Sequence, residues 1–281
     1  MIYVSSSCVK HKKIKDSVQE LVDSGFRNIE LSGGTDFYLA FENDLLELQD
    51  KYRLNYICHN YFPPPKEHFV LNLASFDNNI FNRSLNHFKN SIDLSKRLGA
   101  KSFGLHAGFF IDISVNEIGK KISSIKVLNK NKSIIRFCEG YDFLLKYAEG
   151  LELFIENNVL SEENFENYKT NIFMLTSVNE YKDLKKQINF NLLLDVAHLK
   201  VSSNTLKLGF DKEFRFLVNE SKYIHISDND SFSDLNNVLK KGSHIYTLLK
   251  EQELKKKIVT LEIYDDIDSI KQCYELLQSI V

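Results

Sequence analysis

Short apolar segments rich in β-branched and aromatic residues recur along the chain, at Ile2–Val4, Asn28–Leu31, Asn55–His59, Lys101–His106, Leu151–Glu156, Asn191–Asp195, Tyr223–Ile226 and Ile258–Ile263. Between them apolar residues return every three or four positions, as in Ile14, Val18, Leu21 and Val22, or Leu85, Phe88, Ile92 and Leu98. The short runs read as strands and the 3.6-residue spacing as amphipathic helices. Several helical stretches end on a glycine just before the next strand, at Gly25, Gly99 and Gly150, where a left-handed residue closes a helix.

Eight strand–helix units in 281 residues fit a closed (β/α)8 TIM barrel better than an open doubly wound sheet. No GxGxxG or GxxxxGK[ST] run follows any predicted strand, which argues against a Rossmann site or a P-loop. The three prolines are consecutive, Pro63 to Pro65, and glycines number 11, so no linker divides the chain and one domain spanning residues 1–281 is expected. Two polar stretches, 115–133 and 160–169, lengthen the fourth and fifth units. They are read as extended βα loops on the face where lids sit.

With 43% hydrophobic and 26% charged residues, the composition is that of a folded globular protein. Lys and Arg total 36 against 38 Asp and Glu, a net charge of −2, and the basic clusters form no stripe for a polyanion. No nucleic-acid partner is therefore expected. Cys8, Cys58, Cys138 and Cys273 lie far apart without a CxxC pair, which disfavours a disulfide framework and points to a reducing, cytoplasmic setting. No apolar run approaches a membrane span and no signal-peptide pattern opens the chain, so no membrane partner is expected either.

In a barrel of this kind the chemistry gathers at the C-terminal strand ends. The second strand ends in Glu30, the third in His59, the fourth in His106, the fifth in Glu156 and the sixth in Asp195; the seventh runs through His225 and the eighth carries Glu262. Asp and Glu (38) with His (8) make up roughly one residue in six, so their presence at seven successive strand ends stands out from composition. His198 follows Asp195 in a DxxH step that keeps both near one pocket.

The runs Leu153-Phe154-Ile155-Glu156-Asn157-Asn158, Leu193-Leu194-Asp195-Val196-Ala197-His198, Tyr223-Ile224-His225-Ile226-Ser227-Asp228 and Thr260-Leu261-Glu262 resemble the ordered motifs of the xylose isomerase-like barrel superfamily. That superfamily groups sugar and sugar-phosphate isomerases and epimerases, inosose dehydratases and endonuclease IV. The resemblance implies one divalent cation (Mn, Co, Zn or Mg) held by Glu156, Asp195, His225 and Glu262, a set of three carboxylates and one imidazole that selects no single metal. It implies isomerisation or epimerisation of a sugar or sugar phosphate, by proton abstraction α to a carbonyl through a metal-stabilised enediolate. Glu156 and Glu262 are then the acid/base pair. His59, His106 and His198 are expected to line the substrate pocket; a second metal or a structural role for His59 and His106 stays open. Glu30 is read as structural or as part of the pocket, and most such barrels self-associate, so a homodimer is an expectation.

The alternatives are an inosose-type dehydratase and an endonuclease IV-like phosphodiesterase that cuts at abasic sites. The second needs a further zinc site built from the DxxH histidine and an Asp-x-His pair after the seventh strand. Here that pair aligns as Asp234 and Asn236, and a neutral amide is a poor zinc ligand. His244 could substitute only through a different loop path.

Overall fold

The computed structural model describes residues 1–123 and 126–281, so residues 124 and 125 of the Lys-rich 115–133 stretch lie outside the described residues. Eight strands pair in sequence order, all parallel, and close into a barrel. They are β1 (Ile2–Ser5), β2 (Asn28–Leu31), β3 (Asn55–His59), β4 (Ser102–His106), β5 (Glu152–Glu156), β6 (Asn191–Asp195), β7 (Ser221–Ile226) and β8 (Ile258–Leu261). The helices are α1 (Ile14–Asp23), α2 (Phe41–Tyr52), α3 (Asn78–Arg97), α4 (Lys130–Tyr147), α5 (Glu162–Tyr168), α6 (Val178–Lys185), α7 (Val196–Thr205), α8 (Phe210–Glu220), α9 (His244–Lys250) and α10 (Ile267–Gln278).

Strand boundaries fall within two residues of the expected ones. The one that matters most is the end of β8 at Leu261, which leaves Glu262 just past the strand, with its N–H donating to the Ile226 carbonyl at 3.2 Å. Gly25, Gly99 and Gly150 have φ of 99°, 71° and 84°, the left-handed region where a Cβ is unfavourable.

Strand side chains alternate between two environments, as the period of two requires. Val4, Ile29, Cys58, Phe103, Leu105, Leu153, Ile155, Leu192, Leu194, Ile224, Val259 and Leu261 face outward into the large core shared with the helices. Tyr3, Ile57, Phe154, Leu193 and Tyr223 face inward and fill the lumen as a separate cluster. The next inward residue toward the C-terminal end of these strands is Ser5, His59, Glu156, Asp195 and His225 in turn. The polar layer thus stands directly on an apolar floor.

Between β5 and β6 lie two helices, α5 and α6. The 160–169 stretch is therefore largely helical, with α5 capped by Ser161. Its Asn164 accepts from the Ile122 N–H at 2.9 Å and donates to the Lys120 carbonyl at 3.2 Å, joining it to the segment after β4 over a small core of Ile111, Ile122, Leu160, Ile172 and Phe173. The sixth unit also carries two helices, α7 and α8, which the periodicity did not announce because α7 is buried on nearly all sides and shows no polar stripe. No helix among the described residues is long and apolar enough to cross a membrane. All four cysteines are buried and unpaired.

Candidate active site

Glu156 leaves β5 pointing into the barrel mouth with 1% of its surface exposed. His59 Nε2 donates to its Oε2 at 2.7 Å and His106 Nε2 lies 3.3 Å from the same oxygen, while His225 Nδ1 stands 3.5 Å from Oε1. Burial alone raises a carboxyl pKa, but the imidazoles of His106, His59 and His225 outweigh it and hold Glu156 well below the usual carboxylate range.

Asp195 ends β6 and caps α7, accepting the His198 N–H at 2.7 Å. This cap is the physical content of the DxxH step: with no loop between strand and helix, His198 is turned back over the mouth. Asn157 fixes the pair, since its side chain accepts from the Asp195 N–H at 2.7 Å and donates to the Asp195 carbonyl at 3.0 Å, while its own carbonyl accepts from His198 Nδ1 at 2.9 Å. Burial raises the Asp195 carboxyl to about 7, with the Glu156 and Asp234 charges adding to that rise against the opposing pull of His198.

His225 is fully buried. Its Nε2 donates to Glu30 Oε2 at 2.9 Å, and its Nδ1 has no hydrogen-bond partner, standing 3.3 Å from Glu262 Oε2 and 3.5 Å from Glu156 Oε1. Glu262 is anchored by its other oxygen, which accepts from Ser7 Oγ and Tyr264 Oη, both at 3.1 Å. Against the cost of burial, His225 and His59 lower its carboxyl to about 2.

The structure therefore brings together all eight residues singled out from the sequence, Glu30 included, whose Oε2 accepts from His225 Nε2 at 2.9 Å. Asp195, His225 and Glu262 present donor atoms within 4.8 Å of one another, as do Glu156, Asp195 and His198, and as do His59, His106 and Glu156. A divalent cation fits the first set together with Glu156, whose Oε1 also faces His225 Nδ1 at 3.5 Å. A buried imidazole nitrogen without a partner, facing carboxylate oxygens, lacks what a cation supplies, and one imidazole with three carboxylates suits Mn²⁺, Mg²⁺, Co²⁺ or Zn²⁺. His106, Glu262 and His198 are the members that reach solvent, with side chains 27%, 15% and 11% exposed. His59 lies beneath them, 4% exposed.

Gly104 makes room for His59. It is an inward position of β4 paired with His59, and a Cβ there would come within 2.8 Å of His59 Cδ2 and of Leu193 Cδ1. Sequence reasoning passed over Gly104, Ser7, Tyr264 and the supporting role of Asn157. The Glu-Asn-Asn run after β5 was the one visible signal.

In the loop after β7, His198 Nε2 meets Asp234 Oδ2 at 3.2 Å. Asn236 is buried at φ 48°, where its side-chain oxygen accepts from Ser227 Oγ at 3.1 Å and its carbonyl accepts from the Tyr264 N–H at 2.8 Å. It braces the β7 and β8 loops. His244 does not take the vacant role: it starts α9 and pairs with Asp211 at 2.8 Å on the exposed surface.

The model of the xylose isomerase-like TIM barrel family matches residues 18–278. The chain belongs to that family. Among solved structures, this xylose isomerase-like barrel resembles a D-tagatose 3-epimerase-like protein, with a TM-score of 0.73 at 16% identity over 99% of this chain and 96% of that one. It also resembles a D-psicose 3-epimerase from Clostridium cellulolyticum (0.69, 13%, 99% and 98%). A third relative in fold is endonuclease IV from Thermus thermophilus (0.61, 14%, 99% and 99%). At such identities the likeness is one of fold. No curated protein matches the sequence.

Proposed function

We propose that this barrel is a metal-dependent isomerase or epimerase acting on a small polyhydroxy carbonyl compound, a sugar or sugar phosphate. One observation carries the reading: two anionic carboxylates, Glu156 and Glu262, stand on either side of the unpartnered His225 Nδ1, at 3.5 and 3.3 Å. Glu156, Asp195, His225 and Glu262 are the residues that hold the ion. When bound, the ion supplies Lewis-acid charge beside the substrate's carbonyl and neighbouring hydroxyl oxygens.

The chain's own groups do the proton work. One glutamate removes the proton from the carbon next to the carbonyl and later releases it to solvent, and the other, having taken a proton from solvent, delivers it to the opposite face of that carbon, which inverts it. Return to the neighbouring carbon isomerises the substrate instead. His106 and His198, at the open side, orient substrate hydroxyls, and the Ser7 and Tyr264 hydroxyls keep Glu262 from swinging away. Epimerases among the structural relatives, named for D-tagatose and D-psicose, support a ketose as the first substrate to try.

The test is incubation of the metal-loaded protein with a ketohexose panel in deuterated water. Each turnover is expected to place one solvent deuterium on the carbon beside the carbonyl. Conversion without deuterium uptake, or no conversion of any sugar or sugar phosphate, sinks the proposal.

A second reading, a phosphodiesterase related to endonuclease IV, draws on the group His59, His106 and Glu156 as a second cation site. Against it stands Asn236, whose amide is committed to Ser227. It requires cleavage of abasic DNA that chelator abolishes.

A further inference from the structure

Glu30 lies under the site and is wholly buried. Its Oε2 accepts three hydrogen bonds: from the Tyr223 hydroxyl, from His225 Nε2 at 2.9 Å and from Thr260 Oγ1 at 2.9 Å. Its Oε1 has no hydrogen-bond partner, and the His59 ring turns Nδ1 toward it at 4.0 Å. A buried carboxylate oxygen without a donor is costly, and such an atom calls for an explanation.

The two histidines explain it. Their rings sit edge to face, with centroids 4.8 Å apart, and each offers Glu30 the nitrogen that points away from the barrel mouth. An imidazole can give a metal only the nitrogen that carries no proton, and a carboxylate on the other nitrogen settles which one that is. For His225 the geometry already fits: Nε2 lies 2.9 Å from Glu30 Oε2, and Nδ1 makes no hydrogen bond among the carboxylates. His59 Nε2 lies 2.7 Å from Glu156 Oε2, so ligation through Nε2 puts the ring proton on Nδ1, which faces the donor-less Glu30 Oε1 at 4.0 Å.

We propose that Glu30 is a positioning residue for both histidines at once, with Oε2 keeping the His225 proton on Nε2 and Oε1 receiving the His59 proton on Nδ1. His225 then presents Nδ1, and His59 presents Nε2, to divalent cations at the mouth. The two histidines, which both face Glu156 above, are thereby also joined through Glu30 below. This rests on the metal-dependent reading, and the experiment separates the two.

Metal-stripped wild type and Glu30→Gln are titrated with Zn²⁺ by calorimetry, with circular dichroism and melting of the stripped proteins as the check on folding. Imidazole ¹⁵N spectra of the Zn²⁺-loaded wild type report which nitrogen carries each proton. The expected result is His225 protonated on Nε2 and His59 on Nδ1, with Zn²⁺ affinity of Glu30→Gln lowered about 10–100-fold. A structural role alone lowers the melting temperature and leaves affinity unchanged. Unchanged affinity in a folded Glu30→Gln, or His225 protonated on Nδ1, or His59 protonated on Nε2 in the loaded protein, overturns the proposal and leaves the metal reading intact. If Glu30→Gln does not fold, the wild-type spectra decide alone. Failure of the wild type to bind Zn²⁺ overturns both.

Discussion

His225 Nδ1 stands 3.3 Å from Glu262 Oε2 without a hydrogen bond, while Glu262 Oε1 is held by two hydroxyls. One oxygen of the glutamate is thus anchored and the other is left facing an imidazole nitrogen that makes no hydrogen bond. Protons partly offset the negative charge of this cluster, since His225 and His198 are both well above the usual imidazole range despite their burial.

A divalent ion replaces those protons. Titrating Zn²⁺ or Mn²⁺ into chelator-treated protein is expected to release protons and to raise the melting temperature, by about 2.7 kcal/mol of added stability when free ion exceeds Kd a hundredfold. His225→Ala abolishes the shift. An unchanged melting curve on adding metal to wild type contradicts the donor assignment.

Glu156→Gln keeps the size of a buried residue and removes its ability to take a proton. kcat is expected to fall about 10²–10⁴-fold, and the same holds for Glu262→Gln. Solvent-exchange assays distinguish the two variants, because each retains exchange on the face served by the other glutamate. A variant with full turnover removes that residue from the proton relay.

Ser7→Ala and Tyr264→Phe each delete one hydroxyl on Glu262 Oε1. Each loss to a charged acceptor is worth about 1.5–3 kcal/mol, or roughly 10–150-fold in kcat, and the double variant is expected to exceed either single one. Steady-state kinetics on the three variants checks this; equal rates in all three place the anchor elsewhere.

Gly104→Ala puts a methyl group 2.8 Å from His59 Cδ2 and from Leu193 Cδ1, in a lumen with no slack. It is expected to cost about 1–3 kcal/mol of stability through overpacking and to displace His59 from Glu156. Urea unfolding gives the first quantity and the His59 ring resonances the second.

His87 carries a pH dependence of its own. Burial lowers its imidazole to about 4, only partly countered by its Nε2–H bond to the Asn60 carbonyl at 3.3 Å. The folded value lies below the unfolded value of about 6.5, so between the two the unfolded chain binds a proton that the folded chain refuses. Its contribution is therefore whole above about pH 6.5 and is lost as pH falls toward about 4. His87→Phe, which keeps a ring against Tyr61, is expected to lose up to about 3 kcal/mol less stability than wild type across that window. Parallel stability–pH curves for the two proteins contradict it.

The barrel was legible because each strand repeats one physical decision. An outward apolar residue packs on a helix, and the alternate residue turns into the lumen, so Glu156, Asp195 and His225 could be placed at one end from the period alone. The glycines at 25, 99 and 150 marked the helix ends for the same local reason. What local pattern does not carry is which atom faces which. That Asn157 bridges two strands, that Gly104 vacates space for the ring of its neighbour on β3, and that Glu30 lies beneath both His225 and His59 depend on residues far apart in sequence. Those relations arise only when closing the barrel brings the strand ends into one small space. Asn236 shows the limit clearly: the sequence offers a missing ligand, and only the folded loop reveals the brace between β7 and β8 that the amide makes instead.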